Sequence, residues 1–116
     1  MSEDLFERIK EFIYKEGFGY SLPFPLLFKR KTITKEMDLE KDLRITGDDA
    51  DEFLIDFSKE FNVDVSQFPI GEYFEGEKPF YGLLWGKEKK AVKTIKVDHL
   101  VKAIIAGRLD EEVINS

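Results

Sequence analysis

Cysteine is absent from this 116-residue chain, and histidine occurs once, at His99. Without thiols there are no disulfides, thiolate metal sites or cysteine nucleophiles, and one imidazole does not make a His-rich metal centre. Long apolar runs are missing too. No stretch approaches the roughly 18 residues that a membrane span needs. The opening "MSEDLFERIK" mixes acids and bases where a signal peptide would carry a basic and then an apolar segment. The expectation is a cytoplasmic protein with no membrane partner. A nucleophile motif, a phosphate-binding glycine loop and the Asp-x-Asp-x-Asp-Gly order of a calcium loop are also lacking, so neither catalysis nor a metal site is expected.

What is present suits one packed domain over residues 1–116: 42% hydrophobic residues, eleven of them Phe. The net charge of -6 is unevenly placed. Residues 37–77 hold 13 Asp and Glu against 3 Lys and Arg, which leaves the remainder of the chain basic on balance. An acidic middle repels nucleic-acid phosphates and favours a basic protein surface as partner. The sequence leaves the oligomeric state open.

Three stretches have helical apolar spacing. Leu5, Phe6, Ile9, Phe12 and Ile13 make one face over about Glu3 to Lys15, with Ser2 as N-cap and Gly17 as terminator. In "GDDADEFLIDFSKEF", Ala50, Phe53, Leu54, Phe57 and Phe61 fall on one face. Asp48, Asp51, Glu52, Ile55, Asp56 and Lys59 fall on the other, and Thr46 with Asp49 fits a capping box. The last helix is predicted to start at Thr94 as N-cap, with Val97, Leu100, Val101, Ile104 and Ile105 facing the core and Gly107 near its end. A short helical turn is expected within Ser66 to Phe74. Between Lys15 and Thr46, the Pro23 and Pro25 pair marks a loop lying on the core. Residues 78–93 form an irregular or hairpin insertion before the last helix; the basic run Lys87, Lys89, Lys90 and Lys93 is most simply a solvated loop, with neutralisation of the acidic helix, within or between molecules, as the other reading.

The order of parts, an amphipathic helix, a long loop, "TKEMDLEKDLRITG", an acidic helix ending "KEF", a short helix and a final helix opening "KTIKVDHLVKAI", resembles the acyl carrier proteins. More narrowly, residues 47–77 are similar to a small bacterial family of carrier-like proteins marked by "GDDA". The resemblance implies a mainly α, acyl-carrier-like small helical bundle. It also places Gly47 where carriers hold the serine that bears phosphopantetheine, so no prosthetic group is expected.

By the same resemblance, the helix after Gly47 docks by charge on a basic protein surface, such as that of a carrier-recognising enzyme. Asp48, Asp51, Glu52 and Asp56 would supply the charges and Ile55 an apolar anchor. Two other readings stand beside it: an atypical carrier modified at Ser58 or Ser66, and an acidic immunity or antitoxin-type protein that masks a basic nuclease. The plain structural account of the same residues is a solvated helix face whose acids favour the positive end of the dipole.

Overall fold

Apolar residues three and four apart decide where this chain turns helical. The computed structural model describes residues 2–20, 32–45, 48–74 and 93–116, without the side chains of Ser2 and Asp48. Over those residues the architecture is a small, mainly α-helical bundle. Its elements are α1 (Ser2–Lys15), α2 (Asp48–Phe61), α3 (Ile70–Tyr73), α4 (Val97–Ala106) and α5 (Glu111–Ile114). No strand forms among the described residues; two isolated bridges, Asp38 with Lys96 and Asp64 with Arg108, tie segments together instead.

The two predicted faces of α1 and α2 meet. Ile9, Phe12 and Ile13 are buried from α1, and Ala50, Phe53, Leu54 and Phe57 from α2, with Phe61 partly buried at the edge. The ring of Phe12 lies 5.3 Å from that of Phe53, 6.1 Å from Phe57 and 5.5 Å from Phe61, tilted or edge-on as aromatic quadrupoles prefer. Gly17, at φ 94°, ends α1 in the left-handed conformation that costs glycine least. Asn62 does the same after α2 at φ 55°.

Residues 32–45 pack on this seam through Ile33, Leu39, Leu43 and Ile45, all buried. Asp38 organises their turn: its carboxylate accepts from the Glu40 and Lys41 amides, and its own amide donates to the Asp42 carboxylate at 2.8 Å. The Leu39 amide then donates to the Ile95 carbonyl, and the Val97 amide to that of Met37. This pairing corrects the predicted start of the last helix. Ile95 is buried and Lys96 is bridged to Asp38, so residues 94–96 run extended, and the helix begins at Val97 with Lys96, not Thr94, as N-cap.

The face of α4 also differs from the expectation. Val97, Leu100, Val101 and Ala103 are buried and Ile104 partly so, whereas Ile105 is 68% exposed. At helical pitch Ile105 lies about 140° from Leu100 and cannot share its face. A fifth helix, α5, follows that the periodicity did not reveal, because four residues are too few to show a period. Asp110, before two glutamates, caps it: its carboxylate accepts the Val113 amide at 2.9 Å, and that bond holds the carboxyl below the usual range. Asp110→Ala is expected to lower the urea midpoint slightly, through loss of the cap.

Lys93 is not the solvated lysine that the basic run suggested. Its ammonium lies 2.5 Å from both Glu72 and Glu111, linking α3 to α5, and the two hydrogen bonds hold its proton more tightly than usual. The cap assigned to Thr46, Gly47, the Pro23 and Pro25 loop, and residues 78–92 of the insertion lie outside the described residues.

Candidate functional site

The predicted site residues come from one helix, and α2 presents most of them together. Burial of Phe53, Leu54 and Phe57 turns the opposite side of α2 outward. Asp51 and Glu52 are exposed there, and Asp56 is half-buried beside them. Ile55 sits among these carboxylates at 50% exposure. Asp48 lies in the first turn of α2; its side chain is outside the described residues. Asp49, which the capping box assigned to the helix start, is exposed.

Asp56 takes part in a contact that the sequence of α2 does not show. The side chain of Glu16, just beyond α1, hydrogen-bonds to it across the α1–α2 junction. Burial first, then the hydrogen bond and charge of Asp56, push the Glu16 carboxyl up to about 7; Glu52 adds repulsion and Lys15 opposes it. Glu16 therefore holds its proton to a higher pH than an isolated glutamate does. Lys15, Lys59 and Glu60 line the same cavity of about 350 Å³, and Lys15 reaches Glu60 at 3.3 Å.

A pH prediction follows from this pair. The folded chain holds the Glu16 proton more tightly than the unfolded chain, whose value is 4.5. The stability this group contributes is thus full below 4.5 and is lost as pH rises through about 7. His99 acts in the opposite direction. Its Nδ1 accepts the Lys96 amide at 2.8 Å at the start of α4, and burial, with Lys102 nearby, lowers its value from 6.5, so its contribution is lost as pH falls from 6.5. Because the slopes oppose, the wild-type curve alone does not separate them. Glu16→Gln is expected to raise stability at pH 8 and leave it nearly unchanged at pH 4.5, in urea titrations of the two proteins side by side. A gain of the same size at both pH values would rule out a raised Glu16 value.

Neighbouring surfaces differ in chemistry. Between α1 and α2 lies an open groove of about 380 Å³ with Phe12 and Phe61 in its lining, where the Arg8 guanidinium sits 5.3 Å over the Phe61 ring. Among the described residues no group of three His, Asp or Glu side chains stands where it could hold a metal ion, and no helix is long and apolar enough to cross a membrane. Sequence reasoning missed Glu16 and Ile105. Glu16 comes from a different element and nothing in α2 signals it, whereas a helical wheel centred on Leu100 would have placed Ile105 outside.

A family described as "Protein of unknown function (DUF1493)" matches residues 2–110, and the chain belongs to it. No curated protein and no solved structure matches. The acyl-carrier resemblance is thereby corrected: the family that spans nearly the whole chain is one of unknown function, and nothing in the match points to an acyl-carrier family. The likeness has a physical origin in features any small bundle can share, namely amphipathic helices in sequence and acids gathered at a helix start by the dipole.

Proposed function

We propose that this member of the DUF1493 family is a protein-interaction module of the cytoplasm, acting without catalysis or a prosthetic group. In this reading the outward face of α2 docks on a basic protein surface. The observation that carries the reading is Ile55, a branched apolar side chain half exposed among Asp51, Glu52 and Asp56. A single exposed isoleucine is ordinary on a protein surface; what supports the reading is its setting among carboxylates, since an apolar centre with a charged rim suits a charge-steered contact. The carboxylates speed encounter and fix orientation; the isoleucine, once desolvated, slows departure.

Charge reversal tests the electrostatic half. Asp51→Lys with Glu52→Lys is expected to cut the association rate at least tenfold at low salt and much less at high salt, with helicity by circular dichroism unchanged. An association rate unaffected by the double change would remove α2 from the contact. The absence of a prosthetic group is tested by intact mass from the native host, expected to equal the mass of the sequence.

A further inference from the structure

Glu16 closes the last turn of α1 on a backbone that is firmly held. Its amide donates to the Phe12 carbonyl at 3.0 Å, and the next two amides, of Gly17 and Phe18, close on the carbonyls of Tyr14 and Ile13. Its side chain meets one row of α2. Glu52, Asp56 and Glu60 follow one another at four-residue spacing, so they stand in line along one side of that helix. Glu16 and Asp56 line a cavity of about 350 Å³ together with Phe12, Lys15, Lys59 and Glu60.

The bond between Glu16 and Asp56 has a chemical condition. An ionised carboxylate only accepts hydrogen bonds, so two carboxyl groups bond to each other only while one of them keeps its proton. Burial first, then the bond to Asp56 and its charge, keep that proton on Glu16 until pH reaches about 7. Charges face Glu16 from both helices. Glu52 and Asp56 on α2 oppose its ionisation; Lys15 on α1 favours it, but Lys15 also reaches Glu60 at 3.3 Å. Lys59 and Glu60, both from α2 and of opposite sign, complete the charged lining of the cavity.

We propose that the Glu16 proton regulates the docking face of α2: bound, it ties Asp56 to the end of α1; released to solvent, it leaves a further carboxylate beside Asp56 and Glu52. This regulation rests on α2 being a docking face. A lysine or arginine of the partner that settles at Asp56 stabilises the ionised form of Glu16 and so competes with its proton. Docking and proton release are therefore linked, and each favours the other. The face holds a basic surface more tightly on the alkaline side of neutrality than on the acid side. Ile55 carries no charge and contributes alike in both states.

The probe is a short, end-capped peptide of lysine and leucine, titrated into the full chain by isothermal calorimetry at low salt, at pH 5.5 and at pH 8.5. Its lysines stay charged across that range. His99, on α4, also loses charge as pH rises, so Glu16→Gln serves as the reference: its amide keeps the shape of the side chain and cannot ionise. Beyond any change that Glu16→Gln shows, the wild type is expected to bind about three- to fivefold more tightly at pH 8.5 than at pH 5.5, the scale of one added unit charge a few ångströms from a cation in water. Asp51→Lys with Glu52→Lys is expected to weaken binding at both pH values. If the wild type and Glu16→Gln respond alike to pH while the double change weakens binding, the regulation fails and the reading of α2 stands. If the double change has no effect, or the peptide does not bind, both fail.

Discussion

Phe57→Ala is expected to lower the stability of the chain by about 3–5 kcal/mol, the range for deleting a fully enclosed aromatic ring. Phe57 has no solvent exposure, and its ring lies 6.1 Å from Phe12 and 5.2 Å from Phe61, so the change opens a void on the seam between α1 and α2. No polar group stands ready to hydrate such a void: the buried residues of the core are all hydrophobic, and no buried side-chain polar atom among the described residues lacks a partner. A domain of this size has about 5–15 kcal/mol in total, so the variant is expected to be largely unfolded in mild urea. Phe57→Leu, which keeps most of the apolar volume, is expected to cost less. Equal losses in the two variants would mean that the ring contacts, not the filled volume, hold the seam.

The second large effect concerns binding. Ile55→Lys is expected to weaken partner capture by about 30-fold or more, the scale on which loss of a central anchor is felt, while leaving the urea midpoint within experimental error. Stability is spared because the side chain is half in solvent and is not one of the hydrophobic residues packed on the core. Binding suffers because the new ammonium takes the place of a desolvated apolar group, and any pocket that fitted isoleucine must now enclose a charge. The ammonium would also neutralise part of the acidic ring, so the loss should appear in both rates: faster dissociation from the missing anchor, slower association from the reduced field. A variant that associates slowly but dissociates normally would show that charge alone makes the contact.

The helices were legible where their apolar faces are long. Ile9, Phe12 and Ile13 on α1, and Phe53, Leu54 and Phe57 on α2, are buried as their spacing predicts, because 14 residues give several turns over which a period can be seen. The errors fall where tertiary contacts overrule local preference. Thr94 is an acceptable cap in isolation, but the Leu39 amide claims the Ile95 carbonyl and keeps the preceding backbone extended. The same holds for Lys93, whose two carboxylate partners come from Glu72 and Glu111, 21 and 18 residues away. The acidic face of α2 was visible as a pattern, with Ile55 as the residue that broke it. Its coupling to Glu16 was not, since the junction of α1 and α2 exists only after both have folded. The acyl-carrier likeness failed for a related reason: helix order and acidic helix starts are properties of many bundles, and they identify a family only when specific residues agree.

The central claim is that Ile55 and its carboxylates form a contact surface, and a photo-crosslinking residue at position 55 tests it most directly in the native host. The control is the same residue at the exposed position of Glu36, in the segment between α1 and α2. The account predicts a discrete adduct from position 55 only, joined to a lysine- or arginine-rich surface of a protein partner. No adduct at position 55, or the same adducts at both positions, would contradict it.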